Sequence, residues 1–275
     1  MQHLRFREPN LKQMSFARAN LSYVVRRTED KREHLLRIVN NVPGSGIVYV
    51  RTREKTETVA KFLQENGIEA DSYHGGMGYL TRSLKQENWI GGKTRVIVAT
   101  NAFGMGIDKA DVRFVIHYDI CDSLEAYYQE AGRAGRDGAK ADCILFYSGQ
   151  DVITNQFFIE QDRDNEELTG EALEEVRRQD RERLKKMTFY CHTTDCLRDY
   201  MLRYFGEFGS NYCGNCSNCL TQFEVEDVTD MARAARALCG HASHALWQVA
   251  HRRCAPRRQH RAHSPDASGR GPRLR

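Results

Sequence analysis

The chain of 275 residues is long enough for one or two domains, and its hydrophobic share of 40% can fill a core. Its net charge of +4 does not mark a basic domain, because residues 241–275 hold eight arginines and one acid, which leaves residues 1–240 with a net charge of −3; any nucleic-acid footprint must be local. No apolar run approaches the ~20 residues of a membrane span, and residues 1–7 lack the apolar run of a signal peptide, so we expect an intracellular protein without a membrane partner.

Residues 1–27 show little pattern and predict a linker that runs into a strand. From residue 28 onward, short apolar runs alternate with stretches of helical periodicity. The predicted strands cover residues 46–50, 68–73, 95–100, 113–117 and 141–147. The predicted helices cover residues 28–42, 53–66, 79–90 (with Leu80 and Leu84 as its apolar residues) and 123–132. This alternation predicts an α/β fold with a parallel sheet covered on both faces, with ligands beyond the carboxyl ends of its strands.

After Gln150 the chain becomes charged and poor in glycine and proline. Apolar residues at helical spacing predict one helix through residues 173–187 and another through residues 197–204, which together suggest a helical hairpin. From about residue 240 the periodicity is lost. Such irregular basic sequence could be a nucleic-acid arm, but we expect a disordered or out-of-frame segment.

Residues 127–138 read Tyr-Tyr-Gln-Glu-Ala-Gly-Arg-Ala-Gly-Arg-Asp-Gly. At helical spacing, Arg133 and Arg136 would share one face, and the guanidinium group is a permanent charge whose fork of donors fits phosphate oxygens. The pattern indicates a clamp on a polyphosphate. Two arginines alone would equally fit a solvated basic helix end.

Residues 98–109, Val-Ala-Thr-Asn-Ala-Phe-Gly-Met-Gly-Ile-Asp-Lys, place a hydroxyl at a strand end and a carboxylate in the glycine-containing loop that follows. The hydroxyl of Thr100 can bond a phosphate oxygen, and Asp108 can accept from ribose hydroxyls. Asp108 could instead cap the loop locally. His74 follows another predicted strand, where a lone histidine is more often a packing residue.

Three of the nine cysteines form a Cys-x2-Cys-x2-Cys motif: Cys213, Cys216 and Cys219. Cys196 lies seventeen residues upstream, and four thiolates can close a tetrahedral Zn²⁺ site. On spacing alone, Cys191 and His192 compete with Cys196 for the fourth position. Three cysteines at this spacing also suit an iron–sulfur cluster.

These motifs resemble those of the RecQ-type DNA helicases of superfamily 2. Residues 127–138 resemble the last helicase motif, residues 98–109 resemble motif V, and Asp-Cys-Leu-Arg followed by the cysteine motif resembles the RecQ zinc-binding subdomain. The resemblance spans about residues 16–230. It implies four segments: a linker from a first motor lobe (1–27), a second RecA-like lobe (28–149), a helical zinc-binding subdomain (150–222), and a residual winged-helix start with an irregular basic tail (223–275).

The resemblance implies an ATP-dependent 3′–5′ DNA helicase of repair and recombination. Arg136 would be the finger that reaches the γ-phosphate, and Arg133 and Gln129 would couple nucleotide state to lobe movement. The remaining implied roles are nucleotide contact by Asp108 and Gly106, DNA contact by Thr100 and His74, and structural Zn²⁺ ligation by Cys196, Cys213, Cys216 and Cys219.

Gly91-Gly92-Lys93-Thr94 is similar to the end of a P-loop, but Glu87 stands where that motif needs glycine and a strand follows instead of a helix. No other P-loop occurs in the sequence. We therefore expect ATP and Mg²⁺ to be bound mainly by a lobe outside this chain, and the chain alone to be inactive.

The expected partners are single-stranded and forked duplex DNA, ATP and a single-stranded-DNA-binding protein, and the expected location is the bacterial nucleoid if the source is prokaryotic. Two alternatives remain open. One is a zinc-stabilised DNA-binding module without a motor, and the other is half of an RNA helicase, which would lack the cysteine motif.

Overall fold

The computed structural model describes residues 14–104, 107–161, 170–223 and 227–239. Its strands are β1 (Leu21–Arg27), β2 (Ser45–Tyr49), β3 (Ala70–Tyr73), β4 (Val96–Ala99), β5 (Val112–His117) and β6 (Ala141–Tyr147). Its helices are α1 (Lys31–Asn41), α2 (Arg53–Glu65), α3 (Tyr79–Ile90), α4 (Leu124–Ala131), α5 (Gly149–Glu160), α6 (Gly170–His192), α7 (Leu197–Tyr204) and α8 (Thr229–Cys239). A boundary after Thr221 separates two compact units, and α8 lies in the second. No helix in the described ranges is long and apolar enough to cross a bilayer.

All six strands are parallel, in the spatial order β1-β6-β5-β2-β4-β3. Successive side chains of a strand point to opposite faces, so each strand supplies two cores. Ile47 packs in the core that includes Trp89 of α3, whereas Val48 packs in the core that includes Leu35 of α1. The predicted α/β class, with helices on both faces of a parallel sheet, is confirmed.

Residues 21–27, at the end of the predicted linker, form the strand into which that linker was expected to run: β1, which lies at one edge of the sheet beside β6. The reason lies in its burial: Leu21 and Tyr23 face one core and Val24 the other. The free side of β1 meets the cysteine motif, because Ser217 N donates to Tyr23 O at 2.9 Å and Ser22 Oγ donates to Asn215 O at 2.8 Å.

Helix α3 has the predicted bounds but a different anchor. Leu80 and Leu84 are 81% and 58% exposed. Trp89 holds the helix on the sheet, since its ring is fully buried and its Nε1 donates to Gly46 O at 3.2 Å.

A buried ion network joins α1 to α5, the first helix after the sheet. Lys31 Nζ lies 2.6 and 2.8 Å from the two carboxylate oxygens of Asp151 and 3.6 Å from Asp119 Oδ1. Asp151 also accepts from Ser148 N at 2.9 Å and so caps α5, and Asp119 is 2.7 Å from Lys55 Nζ. Helix α5 is therefore fixed to the sheet by charge as well as by packing. Helices α5 and α6 pack against each other, and α7 reaches β1.

Candidate functional site

The carboxyl ends of β3 and β4 place two of the candidate residues side by side. Tyr73 and Ala99 are partners in the parallel ladder, so His74 and Thr100 follow at matching positions. Both are nearly buried. Thr100 Oγ1 accepts from Ala102 N at 3.4 Å, and its own proton can donate to a ligand. His74 Nε2 lies 3.3 Å from a carboxylate oxygen of Glu57.

The arginine turn, which we define as residues 132–138, does not continue helix α4. That helix ends at Ala131 and is capped by Gly132. Gly135 has a φ of +55°, in the left-handed region that breaks a helix. The expectation that Arg133 and Arg136 share a helical face is therefore wrong, yet the turn sends both side chains to the same loop, residues 101–108.

Arg133 contacts the near end of that loop. Its Nη1 donates to Gly104 O at 2.5 Å, and a Cβ on Gly104 would lie 2.5 Å from Arg133 Nη2. A larger residue at position 104 would thus displace the guanidinium. The contact ties the arginine turn to the strand end that carries Thr100.

Arg136 contacts the far end of the same loop. Its Nη1 donates to Ile107 O at 3.2 Å and to Asp108 Oδ1 at 3.0 Å. The Arg136 side chain is 38% exposed and that of Asp108 is 85% exposed. An exposed pair of this kind contributes about 0–1 kcal/mol, so a phosphate could displace Asp108 at little cost.

Gln129 is exposed on α4, next to Glu130, whose carboxylate anchors this helix to the sheet. Glu130 Oε2 is 2.9 Å from Nε2 of the buried His117 at the end of β5, and it accepts from Cys121 Sγ at 3.6 Å. Burial, with Glu130 next in effect, raises the pKa of Cys121 well above its usual value, so the thiol remains a donor. Gly106, predicted to lie near a nucleotide, falls outside the described residues.

The structure brings four cysteines together. The sulfurs of Cys196, Cys213, Cys216 and Cys219 all lie within 4.8 Å of one another. The Cys213–Cys219 and Cys196–Cys216 sulfur pairs are 3.9 and 4.0 Å apart. Tetrahedral zinc with Zn–S bonds of about 2.3 Å requires sulfur separations of about 3.8 Å, whereas an iron–sulfur cluster would hold its cysteines further apart. The donor set therefore fits one closed Zn²⁺ site.

The two competing positions lie outside this cluster. Cys191 is buried in the core beside Tyr190, and the ring of His192 packs edge-on against Tyr147 with centroids 4.8 Å apart. Of the three candidates for the fourth position, the cluster of four sulfurs contains Cys196.

Backbone N–H groups support the sulfurs. Leu197 N and Cys219 N donate to Cys216 Sγ, each at 3.4 Å, and Cys213 N donates to Cys219 Sγ at 3.3 Å. Burial raises the pKa of Cys196 and Cys216. Burial also opposes ionisation of Cys219, but the backbone N–H groups near it outweigh that effect and lower its pKa. A cation would favour the thiolate form of all four.

Two family models match the chain. The helicase conserved C-terminal domain matches residues 30–138, and the RecQ zinc-binding domain matches residues 149–220. The chain belongs to the RecQ helicase family. The RecQ protein of Bacillus subtilis, an ATP-dependent DNA helicase, is 41% identical over 212 residues, which is 77% of this chain and 34% of that protein. The RecQ-like DNA helicase BLM of Xenopus laevis is 39% identical over 221 residues, 78% of this chain and 16% of that protein.

Among solved structures, a DEAD box protein of Methanococcus jannaschii matches with a TM-score of 0.44 and 28% identity over 50% of this chain and 39% of that chain. The chain spans about a third or less of the length of these RecQ relatives. The two family-model matches divide where the structure changes: the first ends at Gly138, the last residue of the arginine turn, and the second begins at Gly149, the first residue of α5.

Sequence reasoning missed two residues at this site. Arg18 and Asn20 precede both matched regions and donate to carbonyls of the arginine turn. They lie in the stretch with the least pattern, and neither helical nor strand periodicity singles them out. Only their position next to β1, once that strand was recognised, could have drawn attention to them.

Proposed function

We propose that this chain is the second motor lobe and zinc-binding subdomain of an ATP-dependent 3′–5′ DNA helicase that acts in repair and recombination. Its relatives carry the name of ATP-dependent DNA helicases. In this proposal a first lobe outside the chain binds most of ATP and Mg²⁺, and the chain alone is inactive. The whole protein would act on single-stranded and forked DNA, alongside a single-stranded-DNA-binding protein, and at the nucleoid if the source is prokaryotic.

One observation carries the proposal: Arg136 presents a partly exposed guanidinium beyond the strand ends, held by the exposed carboxylate of Asp108 and the carbonyl of Ile107. A γ-phosphate delivered by a neighbouring lobe would compete with Asp108 for this group. Arginine there stabilises the charge that develops during phosphoryl transfer. Arg133, bound to Gly104 O, and the exposed Gln129 would transmit the nucleotide state to the loop.

Loop residues 100–108 would serve both ligands. Asp108 and Gly106 would lie near the nucleotide, and Thr100 would donate its proton to a DNA phosphate, with His74 beside it just after β3. Zn²⁺ bound by the four cysteines would be structural, because four protein ligands leave no open position for a substrate. The role of the ion is then to hold the N-terminal end of α7 and the cysteine motif against β1.

The test is ATP hydrolysis. We join the chain to the part of the Bacillus subtilis relative that precedes the matched region, and compare this chimera with the chain alone. The chimera should hydrolyse ATP with stimulation by DNA, and the chain alone should not. Arg136→Ala should lower the chimera's kcat by about 10³-fold or more, the magnitude typical of an arginine finger.

Arg37→Ala is the matched control, since Arg37 is exposed on α1, where its guanidinium contacts His34. Its kcat should stay within twofold of the parent chimera. Turnover by the chain alone, or an Arg136→Ala chimera that retains a tenth of the parental kcat, would contradict the assignment.

A further inference from the structure

The N-terminal segment, residues 15–20, lies directly against the arginine turn. Arg18 places its guanidinium fork over the turn, with Nη1 3.4 Å from Gly132 O and Nη2 3.3 and 3.2 Å from Ala134 O and Gly135 O. Asn20 Nδ2 donates to Gly135 O at 2.8 Å and to Ala139 O at 2.9 Å. Two side chains of this segment thus bind four carbonyls within and just after the turn.

The first of these carbonyls belongs to Gly132, the cap of α4. The C-terminal end of a helix carries its negative dipole end, which favours a cation. Arg18 provides that cation just beyond the end of α4. The fit at Gly135 is tight, because a Cβ there would lie 2.6 Å from Asn20 Nδ2. The segment therefore fixes the left-handed bend that separates Arg133 from Arg136.

The other end of the segment is bound to the zinc-binding subdomain. The ring of Phe16 stacks on Phe205 with centroids 4.8 Å apart, and Phe16 O accepts from Tyr128 OH at 3.0 Å. Glu207 accepts from Ser15 Oγ and Phe16 N, each at 2.7 Å. The segment is thus held in place at both ends, between the turn and the residues that follow α7.

We propose that Arg18 and Asn20 are positioning residues that hold the arginine turn in the conformation from which Arg133 and Arg136 reach loop 101–108. Displacement of residues 15–20 would then move both guanidinium groups. A further step rests on the proposed function: this segment is the stretch of chain through which movement of a first lobe reaches the arginines.

Amide hydrogen exchange on the zinc-loaded chain tests the holding role without any catalysis. Gly135 N donates to Val112 O at 2.9 Å and Asp137 N to Ala110 O at 3.2 Å, so these two amides report on the docking of the turn. Arg18→Gln and Asn20→Ala should each speed exchange at both amides at least tenfold, while amides in β2 stay within twofold of the parent.

Arg95→Gln is the matched control, because the Arg95 guanidinium likewise binds three carbonyls around the C-terminal end of α1, those of Val39, Val42 and Gly44. It should leave the amides of Gly135 and Asp137 unchanged. Arg18→Lys, which keeps the charge but loses the fork, should lie between the parent and Arg18→Gln. Exchange at the two amides that stays at the parental rate in both test variants, or that rises equally throughout the sheet, overturns the proposal.

The chimera gives the second readout. Arg18→Gln should lower kcat at least tenfold with the KM for ATP within threefold of the parent, because the turn, and not ATP binding to the other lobe, is disturbed. A parent chimera without turnover would sink the proposed function and leave the exchange result to decide the holding role. An active parent whose Arg18→Gln variant keeps the parental kcat would refute the positioning role itself.

Discussion

Lys31→Met should destabilise the first compact unit by about 3 kcal/mol. The Lys31 and Asp151 side chains are about 10% exposed and are joined by two short contacts. Removing one partner of a buried pair costs about 3–5 kcal/mol, because the other charge is left uncompensated. The lower end applies here, since Asp119 keeps Lys55 Nζ and the backbone N–H of Arg51, and only Asp151 loses its cation.

The assay is urea unfolding of the zinc-loaded chain near neutral pH, followed by far-UV circular dichroism. In thermal unfolding, the same loss of about 3 kcal/mol corresponds to a fall in Tm of about 6–12 °C for a unit of this size. Lys61→Met is the control, because Lys61 and Glu65 are exposed and 3.9 Å apart; it should change stability by less than about 0.5 kcal/mol.

A double variant separates charge from packing. Lys31→Met/Asp151→Asn replaces the stranded carboxylate by a neutral amide that can still accept the Ser148 N–H. It should therefore be more stable than Lys31→Met alone. A Lys31→Met chain within 1 kcal/mol of the parent, or a double variant less stable than the single one, would show that this network does not fix α5 to the sheet.

Two further predictions concern the metal and pH. Metal analysis should return about one Zn²⁺ per chain, and Cys216→Ser should lose it; a chain that contains iron, or no metal, would exclude the zinc assignment. Tyr204 OH donates to Glu125 Oε1 at 2.6 Å. Burial tends to raise the pKa of Glu125, but its hydrogen bonds, that from Tyr204 foremost, lower it. A carboxyl whose pKa is lower in the folded state stabilises the fold above its unfolded pKa, about 4.3. That contribution is lost as pH falls through the folded value. Tyr204→Phe should thus cost about 1 kcal/mol at pH 7, and its stability should converge with the parent's in acid; a pH-independent difference would contradict this.

The sequence alone predicts those structural features that a local residue pattern determines. The parallel sheet follows from buried runs such as residues 96–99, and the Cys-x2-Cys-x2-Cys spacing indicated a metal site whose three sulfurs do lie within 4.8 Å of one another. Cys196 could be separated from Cys191 by resemblance but not by spacing, because both lie near the same helix end and only tertiary packing decides which sulfur faces the cluster.

Features that depend on packing between distant parts of the chain could not be predicted from the sequence. Helical spacing suggested that Leu80 and Leu84 hold α3, but a single tryptophan does so and both leucines are exposed. Helical spacing likewise suggested that Arg133 and Arg136 share one helical face, whereas Gly135 between them bends the chain in a left-handed turn. The contacts of Arg18 and Asn20 span more than 110 residues and leave no local signature.

The cysteine motif also shields the side of the sheet. An outermost strand displays unpaired N–H and C=O groups on which another chain can extend the sheet into an aggregate. On β1 three of these groups are occupied: Tyr23 O accepts from Ser217 N, Leu21 O accepts from Asn215 Nδ2 and Arg198 Nη2, and Val25 N is 3.4 Å from Ser217 Oγ. Loss of the metal would therefore uncover a strand edge on which a second copy of the chain can pair. The protein treated with a chelator should then precipitate before it unfolds.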